Sequence, residues 1–100
     1  MGCKIIFSPQ AIADLEEVVR YIAMDDPITA VRIGNVLIDR VEILEKFPLL
    51  GAPYPKRPGV RKLVSRPYLI FYRFREQGNF VDILSYWHGA QRKPDLRSLD

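Results

Sequence analysis

Apolar residues recur every three to four positions in the first half of this chain and every two in the second, with a proline-rich loop between the two regimes. Ala11, Leu15, Val18 and Ile22 are spaced to line one helix face, with Val19 at its margin. Ala30, Ile33, Leu37, Val41 and Leu44 form a second stripe, which Ile38 broadens. Ser8-Pro9 and Asp26-Pro27 each pair a capping side chain with a proline suited to a first helical turn. Helices are therefore predicted over about 9–24 and about 27–46, the second stopping before Pro48. With almost no linker between them, an antiparallel hairpin is the expected arrangement.

Residues 48–59 hold four prolines and two glycines and read as a stiffened loop. Lys4-Ile5-Ile6-Phe7 reads as an opening strand, and further strands are expected over 60–65, 68–76 and 80–88, with a corner at Arg66-Pro67. A two-residue turn at Gly78-Asn79 would pair Gln77 with Phe80 and set Arg75 opposite Asp82. That register puts Ile70, Tyr72, Phe74, Val81, Ile83 and Trp87 on the core face. Arg73, Arg75, Asp82, Tyr86 and His88 fall on the other face with Leu69, Phe71 and Leu84, and those three apolar residues would form an exposed patch suggesting a partner. The expected fold is α+β, β-α-α-β-β-β, a helical hairpin packed on one face of a mostly antiparallel four-stranded sheet.

At 100 residues the chain suits one domain, with 93–100 expected as a loose tail. A lone Cys3 cannot form an internal disulfide, and one Cys with one His makes no structural zinc set. No apolar run approaches a membrane span, and no signal-peptide core or phosphate-binding glycine loop is present. A cytoplasmic domain without cofactor or metal is the default expectation.

Charge supplies the functional clue. The net +3 conceals five basic and eight acidic residues in 1–50 against ten basic and four acidic in 51–100, where eight of the 11 aromatics also lie. Arg61, Arg73, Arg75 and Arg92, with Lys56, Arg57, Lys62, Arg66, Lys93 and Arg97, form this positive half. Such a concentration suits phosphate groups, with Tyr54, Tyr86 and Trp87 available to stack on bases, or an acidic protein segment; a plain solvated face also fits. His88 is the one side chain whose ordinary titration suits acid–base work near neutrality; the plainer reading is a strand-end structural histidine that donates a hydrogen bond to a loop. Asp14, Glu16 and Glu17 read as a solvated helix N-terminus, favourable with the helix dipole.

Several segments in order resemble one family: Ser8-Pro9-Gln10-Ala11 leading to Asp14-Leu15, Tyr21-Ile22-Ala23 with Asp26-Pro27, and Phe47-Pro48-Leu49-Leu50-Gly51. Gly59-Val60-Arg61-Lys62-Leu63, Tyr68-Leu69-Ile70-Phe71-Tyr72-Arg73, and Val81-Asp82-Ile83-Leu84 running into His88-Gly89-Ala90-Gln91-Arg92 complete the series. Over about residues 4–92 the chain resembles the RelE/ParE superfamily, the toxins of type II toxin–antitoxin modules. The resemblance implies a cognate antitoxin whose acidic and apolar tail wraps the toxin in a hetero-oligomer. In it Arg61, His88 and Arg92 match family positions, and the basic, aromatic half adds Arg73, Arg75, Tyr86 and Trp87 as target- or partner-binding candidates. The His88–Arg92 ending and the Tyr21–Pro27 helix junction look ParE-like, which implies inhibition of DNA gyrase, a class with no established catalytic site. RelE-like members instead cleave mRNA on the ribosome, for which Arg61, His88 and Arg92 would be the catalytic candidates. No Tyr follows Arg92, a departure from the nuclease pattern, although Tyr86 and His88 could substitute. An inactive, antitoxin-binding relative is the third possibility.

Overall fold

The computed structural model describes residues 2–89. Strand β1 (Lys4–Phe7) leads into α1 (Pro9–Ala23) and α2 (Pro27–Arg40), followed by a 3-10 helix (Val41–Glu45). Four strands complete the chain: β2 (Ala52–Pro53), β3 (Arg61–Ser65), β4 (Tyr68–Arg75) and β5 (Phe80–His88). They form one sheet in the order β1-β5-β4-β3-β2. β1 runs parallel to β5, and every other pairing is antiparallel. The sheet thus has five strands rather than the expected four, because Ala52 and Pro53 in the proline loop pair with Lys62 and Arg61. A strand of two residues leaves no periodicity to detect.

Capping fixes both helix starts. The Ser8 hydroxyl accepts from the Ala11 N–H at 3.0 Å and donates to the Leu84 carbonyl at 3.0 Å, so one side chain caps α1 and ties it to β5. Asp26 accepts from the Thr29 N–H at 3.1 Å and from its hydroxyl at 2.6 Å. The second helical run is not α throughout, since α2 gives way at Val41 to the tighter 3-10 winding. At three residues per turn Val41 and Leu44 share one side, and both are buried. The Val41 N–H then donates to the Ile38 and Asp39 carbonyls rather than to Leu37, whose carbonyl accepts from the Tyr86 hydroxyl at 3.0 Å. Ile38, expected to broaden the buried stripe, is instead exposed.

The hairpin between β4 and β5 departs from its expected register. Arg75 pairs with Phe80 across a four-residue loop in which Asn79 takes a left-handed φ of 52° and its N–H donates to the Glu76 carbonyl. Asp82 therefore sits opposite Arg73, not Arg75. Farther along, Tyr72 pairs with Ile83 but Phe71 pairs with Ser85, leaving Leu84 as an extra residue on β5. This bulge reverses the faces beyond it. Tyr86 enters the main core beneath the helices with Ile70, Tyr72, Val81 and Ile83, and Trp87 moves to the opposite face. The expectation of Tyr86 outside and Trp87 inside is thus corrected by one inserted residue.

That opposite face has its own cover. Phe71, Leu84 and Val60 are buried there, with Tyr54, Leu69 and Trp87 packed around them. Tyr54 meets Phe71 edge-on at 5.1 Å. The patch expected to be exposed at Leu69, Phe71 and Leu84 is instead closed by the proline loop. The Arg66-Pro67 corner holds a cis peptide bond.

Candidate functional surfaces

Of the seven residues singled out from sequence, the six that lie among the described residues do not converge on one site. Arg61 and Leu63 lie on the helix-side face of β3, and Leu63 is in the core. The Arg61 guanidinium donates to the carbonyls of Gly51 at 2.7 Å and Leu49 at 3.3 Å. Beside it the Tyr72 hydroxyl accepts from the Gly51 N–H at 2.8 Å. Gly51 permits this approach, since a Cβ there would lie 2.7 Å from the Tyr72 ring and 2.8 Å from the Lys62 carbonyl. Arg61 therefore pins the segment after Pro48 against the sheet.

Tyr86 is 3% exposed, and its hydroxyl is committed to Leu37; burial pushes its phenol well above the usual range. His88, half-buried, pairs across the hairpin with Tyr68 and meets that ring edge-on at 5.2 Å. The two form one wall of an open cleft of about 760 Å³, whose other wall is α1 with Asp14, Glu17, Arg20 and Tyr21. Asp14 is more than a solvated helix residue. β1 ends opposite Ile83, so no strand continues beside β5 there, and Asp14 accepts from the Tyr86 N–H at 3.1 Å. It also accepts from the Gln10 amide at 2.7 Å. Burial raises the Asp14 pKa above 3.8, with the Glu17 charge adding to it, although both hydrogen bonds oppose the shift.

Arg73 and Arg75 rise from the other face of β4, two residues apart. Asp82 faces Arg73 in the ladder and approaches Arg75 at 4.0 Å. Arg57 joins them from the proline loop: burial first, and then the positive charges of Arg75 and Arg57, hold Arg73 below the ordinary guanidinium value, against the pull of Asp82. Trp87 lies on this same face over Phe71 and Leu84. Arg92 lies outside the described residues, as do Lys93, Arg97 and the expected 93–100 tail.

The register also measures the distance between these groups. Arg61 is opposite Tyr72, and His88 is opposite Tyr68. Four residues along β4 and two strand spacings across it separate their backbones by about 16 Å. Neither the Asp14 contact nor the place of Arg57 could be read from periodicity, because both depend on which elements become neighbours. Among the described residues, no group of three His, Cys, Asp or Glu side chains is placed to hold a metal ion, and no helix is long and apolar enough to cross a membrane.

This architecture, a capped helical hairpin over a five-stranded sheet, matches solved structures of toxin–antitoxin proteins. The structure of the chromosomal ParDE toxin–antitoxin system from P. aeruginosa matches with a TM-score of 0.73 and 26% identity, over 86% of this chain and 95% of that one. The RelBE2 toxin–antitoxin complex of Mycobacterium tuberculosis matches with a TM-score of 0.68 and 23% identity, over 88% and 99% of the two chains. E. coli toxin RelE gives 0.66 and 14%, over 90% and 86%. The last two likenesses are of fold alone. In sequence, the family of ParE toxins of type II toxin–antitoxin systems (parDE) matches residues 5–93. Y4kP of Sinorhizobium fredii, named as a candidate toxin, is 32% identical over 95 residues, 93% of this chain and 95% of that protein. The chain belongs to the ParE toxin family.

Proposed function

We propose that this toxin arrests growth by inhibiting DNA gyrase in the cytoplasm, and that a cognate antitoxin with an acidic and apolar tail neutralises it in a hetero-oligomer. The observation that carries the reading is the match to the ParE family over residues 5–93. The wide spacing of Arg61 and His88, and the use of Arg61 as a loop anchor, favour a binding protein over a nuclease built on that pair. An apolar corner where α1 meets α2 suits the antitoxin: Tyr21, Met24, Ile28 and Val31 are all strongly exposed there. The basic sheet and loop suit its acidic residues.

The purified chain should block supercoiling of relaxed plasmid by gyrase, and its antitoxin should restore it. Expression alone should halt growth, with rescue by the adjacent small gene. Unimpaired supercoiling together with mRNA cleavage in a translating extract would replace the gyrase reading by the ribosomal one. Rescue-independent normal growth would leave an inactive antitoxin-binding relative.

A further inference from the structure

Phe47, Leu49 and Leu50 are large apolar side chains left in water, yet the turn that carries them is firmly held. They are 57%, 59% and 49% exposed. The Leu50 N–H donates to the Phe47 carbonyl at 3.0 Å, closing a β-turn whose second residue is Pro48, the position that a fixed proline φ suits. The Phe47 N–H donates back to the Ile43 carbonyl at 3.0 Å, which joins the turn to the 3-10 helix. On the other side the Arg61 guanidinium holds the Leu49 and Gly51 carbonyls, and the Tyr72 hydroxyl holds the Gly51 N–H. The N–H groups of Phe47, Leu50 and Gly51 and the carbonyls of Phe47, Leu49 and Gly51 are thus satisfied within the chain, and Pro48 has no N–H to satisfy. Burying the turn against an apolar surface would strand none of these groups.

We infer that the Phe47–Leu50 turn is a rigid apolar anchor that inserts into a pocket on the protein this toxin acts on, a pocket apolar within and acidic at its rim. The inference rests on the reading that the toxin works by binding a protein target, and it adds the surface that makes the contact. A turn already fixed by its own hydrogen bonds loses little freedom on docking, so more of the apolar burial appears as affinity. A Phe presented with two aliphatic neighbours is the form that a central interface anchor takes. Together the three side chains expose on the order of 300 Å², whereas each side of a stable interface buries about 800 Å². That is too little for a self-complementary dimer face, and it suits the centre of a larger contact with a different surface. Positive side chains flank the anchor: exposed Lys46 directly precedes Phe47, and Arg61 binds the Leu49 and Gly51 carbonyls. Glu45, one residue before Lys46, offsets part of this charge, and an acidic rim would complement the rest. The anchor also stands apart from the apolar corner proposed for the antitoxin, since α2, about 20 Å long, and the 3-10 helix lie between Ile28 and Phe47.

Growth arrest on expression, gyrase supercoiling and antitoxin binding, each measured with the full-length wild-type and Phe47→Gln/Leu49→Gln chains, test it. Both substitutions fall at exposed positions, so the double variant should keep the wild-type urea midpoint and bind the product of the adjacent small gene within about twofold. It should lose growth arrest and need about tenfold more protein, or more still, to inhibit supercoiling. Tyr72→Phe keeps all three apolar side chains and removes only the hydroxyl that accepts from Gly51, so it should raise the half-inhibitory concentration about threefold. Ile12→Gln, at an exposed apolar position on α1, is the control and should inhibit as the wild type does. Wild-type potency in the folded double variant would overturn the anchor. So would a double variant that arrests growth normally but no longer binds the antitoxin, which would assign the turn to that partner. A wild-type dimer that the double variant dissociates without loss of potency would overturn it in favour of a second copy of the chain. Growth arrest without inhibition of supercoiling would remove gyrase as the target, and arrest by the double variant then decides the anchor: its loss supports docking on another protein, and its persistence overturns it. A wild-type chain that neither arrests growth nor blocks supercoiling would overturn both readings.

Discussion

Asp14 and Asp26 are both helix carboxylates, yet they make opposite contributions to the pH dependence of stability. Thr29 side-chain and backbone hydrogen bonds hold Asp26 below its ordinary pKa of 3.8, so its contribution is present above that value and is lost as pH falls through the lowered one. Asp14 is raised by burial, so its contribution is full below 3.8 and is lost as pH rises through the elevated value. Asp14→Asn keeps an acceptor for the Tyr86 N–H and removes the buried charge. It should leave stability at neutral pH unchanged or higher and abolish this part of the pH profile in urea titrations. Asp14→Ala leaves that N–H without its acceptor and should cost about 1–3 kcal/mol. Tyr86→Phe should cost about 1 kcal/mol by the same measurement, since the Leu37 carbonyl freed by the 3-10 turn loses its partner.

At the scale of elements, the bulge at Leu84 and the pinned segment at Gly51 have the largest consequences. Deleting Leu84 would make the pairs Tyr72–Ile83, Phe71–Ser85, Ile70–Tyr86 and Leu69–Trp87 consecutive. Tyr86 would then stay in the core and Trp87 outside it, while the smaller cluster would lose its Leu84 side chain. The deleted chain should keep the dispersed amide spectrum of a packed domain but unfold at lower urea, since Leu84 leaves the smaller cluster and its carbonyl no longer accepts from Ser8. Arg61→Ala should act locally: faster hydrogen exchange at Gly51, with a modest loss of global stability, because two carbonyl contacts vanish while the Tyr72 bond remains. The helices and the three long strands were legible in the residues because capping and periodicity act within a few positions. The bulge was not legible. Phe71, Leu84, Trp87 and Tyr86 are all apolar enough for either face, so alternation continued through it on paper.

Across the whole molecule, two apolar clusters divide the sheet. The larger lies under the helices and the smaller under the proline loop. Leu44→Ala, at a fully buried position between the 3-10 helix and the sheet, should cost about 3 kcal/mol, a large fraction of what a domain of this size possesses. Val64→Ala, on an exposed part of β3, should stay within about 0.5 kcal/mol. The charge division follows the same architecture, with the acidic half forming mainly the helices and the basic half the loop, β3, β4 and β5. By itself the sequence determined what is local or patterned: two capped helices, a later β meander, and a family resemblance spread over most of the chain. Tertiary structure alone decided which charges act together. Arg61 faces the helix side while Arg73 and Arg75 face the other, Arg57 arrives from a distant loop, and Asp14 reaches β5 across an open strand edge. The physical reason is that side-chain direction in a strand alternates residue by residue, so a one-residue bulge or a neighbouring loop redistributes a site without changing its composition.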